Sequence, residues 1–329
     1  MQAITYRRYG SPDVLEYRQT EKPTPAPSEV LIQVRAASVN PYDWHFLRGT
    51  PFFIRLFTGL RKPRSPALGA DVAGIVAAVG PEITRFKIGD AVFGVCKGAF
   101  AEFACAKETA LALKPESLSF EEAASVPIAG ITALQGLRDR GRVQPGQRVL
   151  INGAAGGVGT FAVQIGKYLG AQITGVCSAG NVALVKSLGA DAVIDYTLQD
   201  FTRSPERYDV IFDLVGNHPL KAIRRALRSK GIFVGCGGGG PDKPSSELMA
   251  MMLGQFVISP FTSQKLTGVF AKINTADLNT LGDLLQSGRV KPVLDRSYPL
   301  GDTSEALRYV ERCHARGKVI IAVNSDTSA

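Results

Sequence analysis

The sequence predicts an α/β chain in two parts, a β-rich, barrel-like first domain followed by a doubly wound parallel-sheet domain. Three observations lead there. Up to about Ala112, short apolar runs alternate with Pro and Gly breakers. From Ser119 onwards, strand-like and helix-like patterns take turns. Within that second stretch one apolar run enters a string of small residues and continues as an amphipathic pattern. The length of 329 residues suits two domains of roughly 150.

Val30 to Val34, Asp71 to Val76 and Ala91 to Val95 read as strands, because apolar and β-branched residues run between turn formers. Lys22-Pro23-Thr24-Pro25-Ala26-Pro27 is a stiff connector between strands. Ser119-Phe120-Glu121-Glu122 forms a capping box, and the helix it opens is expected to run towards Arg138. Arg148 to Ile151, Gln172 to Val176, Ala192 to Ile194, Tyr208 to Phe212 and Gly231 to Val234 then supply strands with helical segments between them. Asn181 is placed to cap the helix after the second of these, and Thr267 to Ala271 reads as a sixth strand. From about Lys272 the tail reads as a helix, a strand, a helix near Ser304 to Cys313, and a last strand, Lys318 to Ala322.

Composition removes several function classes. Hydrophobic residues make up 45% of the chain and charged residues 20%, enough apolar surface to exclude a disordered chain. No run nears the roughly 18 apolar residues of a membrane span. The first residues lack the apolar core of a signal peptide, so a cytoplasmic protein is expected. The five cysteines form no C-x-x-C pair, which suggests neither a disulfide framework nor a zinc knuckle. Lys and Arg number 38 against 29 Asp and Glu, giving +9. Those charges are spread along the chain rather than gathered among aromatic residues, so they suit attraction of a polyanionic cofactor better than nucleic-acid binding.

The most informative segment is Gly146 to Gly159, where Arg148-Val149-Leu150-Ile151 runs into Asn152-Gly153-Ala154-Ala155-Gly156-Gly157-Val158-Gly159. Ala154, Gly156 and Gly159 occupy the three positions of a dinucleotide fingerprint, Ala standing in for the first Gly. Ala155, Gly156, Gly157 and Val158 would bring bare backbone and a helix N-terminus to a pyrophosphate. The alternative is a structural glycine turn. An NAD site places an acidic residue about 20 positions on, to bond the ribose 2′-hydroxyl. Here the next strand ends in Cys177-Ser178-Ala179-Gly180-Asn181, with no carboxylate. Ser178 and Asn181 could accept a 2′-phosphate and Tyr196 could close over it, so NADPH is the expected cofactor.

The run from Gly146 to Lys167 resembles the quinone oxidoreductase (zeta-crystallin-like) branch of the medium-chain dehydrogenase/reductases. The segments Ser38 to Trp44, Gly69 to Gly74, Ala190 to Tyr196 and Ala315 to Val319 carry the likeness over essentially the whole chain. The resemblance implies a GroES-like β-barrel catalytic domain over 1–122, with 272–329 returning to it. It also implies a Rossmann NADPH-binding domain over 123–271. Zinc-dependent alcohol dehydrogenases of the same superfamily hold their metal with Cys, His and Cys, and the matching positions here are Asn40, Ala70 and Ile128. Ala and Ile cannot ligate zinc, and the four-cysteine lobe is missing, so no metal is expected.

Candidate site residues follow from the same likeness. Asn40 resembles the family's active-site Asn, whose amide could donate to a substrate oxygen or to the cofactor ribose. The alternative is an Asn-Pro turn. Tyr42 and His45 follow on the same segment, and His45 is either a proton donor or a packed aromatic ring. Thr132, Gly235, Cys236, Phe270, Ala271 and Lys318 correspond to positions near the cofactor in relatives. Cys236 lacks a His–Asp arrangement and reads as inert packing. The Phe46 to Phe57 stretch, apolar with Arg48, Arg55 and Arg61 interspersed, is a lid over a hydrophobic acceptor, a membrane-surface contact or an ordinary packed segment. Together with the Met249 to Phe270 segment it would shape the acceptor pocket.

The expected activity is NADPH-dependent, zinc-independent reduction of quinones or α,β-unsaturated carbonyls, whose acceptors delocalise the incoming charge without a Lewis acid. Two rivals stand beside it: an NADP-dependent alcohol or aldehyde oxidoreductase, and a non-catalytic NADPH-binding protein. A homodimer formed by pairing of the sixth strand is expected from the resemblance.

Overall fold

The computed structural model describes residues 1–237 and 262–323. The glycine run beyond Gly237 and the 249–261 part of the pocket-shaping segment lie outside the described residues. The chain divides into two compact units. One comprises Met1–Ile131, Lys272–Gly288 and Pro292–Ala329, and the other Thr132–Ala271 with Arg289–Lys291.

The first unit begins with β1 (Gln2–Thr5), β2 (Glu16–Gln19) and β3 (Glu29–Val39), the proline-rich connector lying between the last two. The helices α1 (Pro41–Arg48) and α2 (Ile54–Thr58) precede β4 (Asp71–Val79), β5 (Ala91–Val95), β6 (Phe103–Lys107) and β7 (Leu111–Leu113). β3 is longer than its apolar run predicts because it has three partners. Residues 29–33 pair with β6, residues 36–39 pair with the last strand of the chain, and β4 runs along the other side. The sheet encloses a core that includes Val30, Ile32, Trp44, Leu47, Val72 and Phe100.

The expected continuous helix from Ser119 is instead broken into pieces: α3 (Phe120–Ala124), α4 (Pro127–Gln135) and a π-helical turn over Gly136–Arg140. The capping box forms, with Ser119 Oγ accepting from the Glu122 N–H at 3.1 Å and Glu122 Oε2 accepting from the Ser119 N–H at 2.9 Å. Pro127 ends the first piece, since it has no N–H to continue the ladder and its ring crowds the preceding turn.

The second unit holds six parallel strands: β8 (Arg148–Asn152), β9 (Gln172–Cys177), β10 (Ala192–Asp195), β11 (Tyr208–Asp213), β12 (Leu227–Gly235) and β13 (Lys265–Gly268). Their spatial order is β10-β9-β8-β11-β12-β13, so the order reverses between β8 and β11. That is the doubly wound arrangement, with its switch point at those two strands. α5 (Gly157–Tyr168), α6 (Val182–Ser187) and α7 (Leu220–Ala226) connect them. The sixth strand is shifted from the predicted 267–271, because its pairing stops where β12 does, at Gly235 against Gly268. Asn181 stands just before α6 but makes no side-chain cap to it, its amide turning to Ser178 instead.

The chain then returns to the first unit with a helix over Thr275–Gln286, β14 (Leu294–Pro299), a helix over Thr303–Glu311 and β15 (Lys318–Ala322). β15 enters the sheet between β14 and β3, antiparallel to β3, with Val319 opposite Val39 and Ile320 opposite Ser38.

Candidate active site

In the second unit the parallel strands all end at one edge. Asn152, Asp213 and Gly235 stand in register across β8, β11 and β12, and Asp195 stands opposite Cys177. The fingerprint loop leaves from the end of β8 at the switch point. Gly156 precedes α5 as its N-cap, and no side chain caps that helix. The first-turn N–H groups of α5, from Gly157 and Val158, are therefore the kind that an anion satisfies. A Cβ at Gly156 would meet only the Gly153 carbonyl, at 3.5 Å, so the backbone there is bare. At Gly159 a Cβ would fall 2.1 Å from the Gly153 carbonyl oxygen, which makes this glycine a requirement of helix–strand packing. Ala154 fits in place of a first glycine because the strand opposite supplies Gly175, whose Cβ would lie 3.0 Å from that of Ala154.

Ser178 and Tyr196 follow the paired residues Cys177 and Asp195, so they emerge side by side from β9 and β10. Ser178 Oγ accepts from the Asn181 amide at 3.2 Å and keeps its own hydrogen for another acceptor. Asn181 Oδ1 is buried without a partner, as is Asp213 Oδ2 at the end of β11. Buried unpaired polar atoms are uncommon, and both stand on the edge where a dinucleotide would lie. The bare Gly156 backbone, the uncapped helix and these two atoms fit a bound dinucleotide. Asp213 and Asn152 went unrecognised in the sequence. Asp213 Oδ1 accepts from Asn152 Nδ2 at 2.8 Å and from the Val215 and Gly216 N–H groups at 3.0 Å, fixing the loop after β11.

Gly235 and Cys236 end β12, where the Cys236 N–H donates to the Asp213 carbonyl at 2.9 Å. Burial, with Asp213 nearby, pushes the Cys236 thiol up to about 12, so it stays protonated and inert. Beyond β13, Phe270 is exposed and Ala271 half-buried, while Thr132 is buried in α4.

In the first unit Asn40 and Lys318 belong to a buried polar cluster. Ser38 and Asp71 are register partners on β3 and β4, and the Ser38 hydroxyl donates to Asp71 Oδ2 at 2.8 Å. Asn40 Nδ2 donates to the same oxygen at 2.9 Å and to the Ser38 carbonyl at 3.3 Å. The Ile128 N–H donates to Asp71 Oδ1 at 3.0 Å. Lys318 Nζ donates to Asn40 Oδ1 at 2.6 Å, to the Val39 carbonyl at 3.3 Å and to Asp71 Oδ2 at 3.4 Å. Because an ammonium only donates, Lys318 fixes which end of the Asn40 amide faces it.

Both amide hydrogens of Asn40 and the three ammonium hydrogens of Lys318 are thereby engaged inside the cluster. Asn40 and Lys318 thus hold each other through the 2.6 Å bond between them. Asp71 and Ser38 went unremarked in the sequence as site residues. The available signal was a carboxylate and a lysine, each opening an otherwise apolar strand.

The cluster also fixes the start of α1. Asp43 Oδ2 accepts the Asn40 backbone N–H at 2.8 Å, and its Oδ1 is buried without a partner. Burial raises the Asp43 carboxyl to about 7, with Asp71 adding to the rise and the Asn40 N–H and Lys318 opposing it. Tyr42, one residue earlier, is 45% exposed, its ring 4.1 Å from that of Phe46. Burial of part of the ring and the neighbouring Asp43 raise its phenol above the ordinary value, so the hydroxyl keeps its hydrogen. His45 stacks on Trp44, and its Nδ1 lies 2.7 Å from the Thr50 carbonyl. A carbonyl only accepts, so Nδ1 carries the hydrogen. Burial lowers the ring's pKa, which leaves Nε2 a bare lone pair with no proton to give.

Of Asn40, Ala70 and Ile128, the last two carry side chains that cannot ligate zinc. Among the described residues no group of three or more His, Cys, Asp or Glu side chains lies together to hold a metal ion.

Comparisons with known proteins agree with this architecture. Residues 26–116 match the alcohol dehydrogenase GroES-like domain family, and residues 188–321 match the zinc-binding dehydrogenase family. The chain is 33% identical to the chloroplast envelope quinone oxidoreductase homolog of Arabidopsis thaliana, over 98% of each chain. It is 32% identical to the NADPH-dependent alkenal/one oxidoreductase of the same plant, over 98% of this chain and 79% of that one. The Escherichia coli quinone oxidoreductase, solved in complex with NADPH, superposes with a TM-score of 0.83 at 26% identity, covering 98% of this chain and all of that one.

Proposed function

Because the chain belongs to the medium-chain dehydrogenase/reductases, in their quinone oxidoreductase branch, we propose that it reduces quinones or α,β-unsaturated carbonyls with NADPH and without zinc. One observation carries the zinc-free reading. The positions that would hold catalytic zinc are Asn40, Ala70 and Ile128, and Asn40 is engaged with Lys318 and Asp71. Alcohol oxidation needs an alkoxide stabilised beside the nicotinamide, and this donor set offers no metal to do that. A quinone or enone spreads the incoming charge over its own conjugated system and needs less.

Bound NADPH supplies the hydride. The bare backbone at Gly156 and the first turn of α5 would hold the pyrophosphate, with Ala155, Gly157 and Val158 beside them. The Ser178 hydroxyl and Tyr196 would receive the 2′-phosphate. Gly235, Cys236, Phe270, Ala271 and Thr132 complete the cofactor's surroundings. In the first unit Tyr42 would donate a hydrogen bond to an acceptor oxygen as charge gathers on it. Its raised pKa suits it to hold that hydrogen rather than surrender it, so water delivers the final proton. Asn40, Lys318, Asp71 and Asp43 are positioning residues that fix the first turn of α1 and with it Tyr42.

Among the described residues β13 is an edge strand of the six-stranded sheet, and pairing of this edge across a two-fold axis is the proposed route to a homodimer. No helix among the described residues is long and apolar enough to cross a membrane.

The test is NADPH consumption with an ortho-quinone, run with and without a strong metal chelator. Turnover that the chelator leaves unchanged is expected. NADPH binding without turnover of quinones or enones would overturn the reading, and chelator-sensitive oxidation of a primary alcohol with NADP would replace it.

A further inference from the structure

The segment from Phe52 to Leu60 turns polar groups inward. Tyr9 of the first unit hydrogen-bonds through its hydroxyl to Thr58 Oγ1 at 2.7 Å and to the Gly59 carbonyl at 2.6 Å. Arg55 folds back over the Tyr9 ring, 4.6 Å from its centre, and donates through Nε to the Gly49 carbonyl at 3.0 Å. With Thr58 and Arg55 used for anchoring, the apolar residues face out. Phe52, Leu56, Phe57 and Leu60 are 64%, 57%, 76% and 58% exposed, and Phe53 is also exposed. α2 buries none of its residues. Scattered exposed apolar residues are normal, but five large ones within nine positions form a patch, and such patches mark interaction sites.

The chemistry of the surroundings selects the partner. Arg61, Lys62 and Arg64 are exposed directly after the patch, and no Asp or Glu occurs from residue 44 to residue 70. Aromatic and aliphatic side chains beside a cluster of cations match an interface of acyl chains below and anionic headgroups above. A second copy of the same face would bring like charges together, which is unfavourable across a two-fold interface.

We propose that the outward face of Phe52–Arg64 is a peripheral docking surface for an anionic phospholipid bilayer, with Phe52, Leu56, Phe57 and Leu60 entering the headgroup region and Arg61, Lys62 and Arg64 meeting lipid phosphates. The inference goes beyond the catalytic reading and stands without it. A lipid-soluble acceptor would be within reach of a protein held there.

Flotation with vesicles tests it, with no turnover involved. The whole chain is mixed with vesicles of phosphatidylcholine alone or of phosphatidylcholine with phosphatidylglycerol. It is expected to float with the anionic vesicles and to bind the neutral ones at least about tenfold less. Raising salt from about 0.1 to 0.5 M weakens the anionic binding several-fold, because the Debye length shrinks. The double variant Phe52→Ser/Phe57→Asp loses at least about tenfold in binding, and Arg61→Ala/Lys62→Ala/Arg64→Ala loses about as much. Ile88→Ser, at an exposed apolar residue elsewhere on the unit, binds as the wild type does. Melting curves verify that each variant is folded.

Absence of wild-type binding to anionic vesicles overturns the proposal, as does binding that Phe52→Ser/Phe57→Asp leaves intact. A wild-type dimer that this variant dissociates, without vesicle binding, assigns the face to a second copy. A raised KM for a water-soluble quinone in that variant, again without vesicle binding, assigns the face to the acceptor.

Discussion

Replacing Lys318 by Met probes the buried cluster directly, because Met keeps the length of the apolar stem and removes only the ammonium. In the folded chain Lys318 and Asp71 have side chains 3% and 0% exposed, so neither partner can turn to water when the other is lost. Removing one member of a buried ion pair costs about 3–5 kcal/mol. Asp71 would retain three neutral donors, Ser38 Oγ, Asn40 Nδ2 and the Ile128 N–H, which favours the lower end. Asn40 Oδ1 would lose its 2.6 Å partner, and an unpaired buried acceptor costs about 1–3 kcal/mol. These two costs overlap, and a net loss of about 3 kcal/mol is expected for the first unit. The chain's single tryptophan, Trp44, lies beside Asp43 in that unit, so its fluorescence during urea unfolding reports the right transition. The double variant Lys318→Met/Asp71→Asn should be less destabilised than the sum of the singles, by about 1–3 kcal/mol. A single variant within about 0.5 kcal/mol of wild type, or strict additivity in the double, would refute the ion pair as the centre of this cluster.

Asp43 titrates near 7 when folded against an ordinary value of 3.8. Between those values the folded chain holds a proton that the unfolded chain has released, so stability falls as pH rises from about 4 to 7. The slope from this group is about 1.4 kcal/mol per pH unit at most. Asp43→Asn keeps the acceptor for the Asn40 N–H and should flatten that slope in urea unfolding; an unchanged slope would place the titration elsewhere. Gly156→Ala should fold normally yet raise the Kd for NADPH at least about tenfold, whereas Gly159→Ala should destabilise the second unit by about 1–3 kcal/mol. Calorimetry with NADPH and thermal melts distinguish the two. Tyr42→Phe should lower kcat with an ortho-quinone about tenfold while leaving NADPH affinity unchanged. That is below the 10²–10³ of a dry oxyanion hole, because Tyr42 is 45% exposed. Unchanged steady-state kinetics would remove Tyr42 from the reaction.

The fingerprint was legible because its requirements are local. Gly156 and Gly159 act through backbone geometry within one strand, turn and helix, and the spacing of small residues records it. The strands of the second unit were legible for the same reason, their apolar runs being nearly continuous where both faces are buried. The helix from Ser119 is shorter than its strong capping signal predicts, because Pro127, eight residues later, interrupts the hydrogen-bond ladder. Asn181 misled in a different way, because the residue type that caps helices also bonds neighbouring side chains, and the choice depends on where Ser178 lies.

The sequence by itself determined the two fold types, the strand–glycine turn–helix of residues 148–168 and the presence of Asn40, Tyr42 and His45 on one short segment. Only the tertiary structure decided which groups those residues bond. Asn40 lies 31 positions from Asp71 and 278 from Lys318, and no local pattern joins them. The register of β3 against β4 and β15 brings the three together. Packing then removes water, so that Lys318 must face Asn40 Oδ1 and Asp71, and Asp43 is left with one oxygen unpaired. Burial turned a carboxylate into an acid near neutrality and depressed a histidine, and burial is a property of the assembled fold.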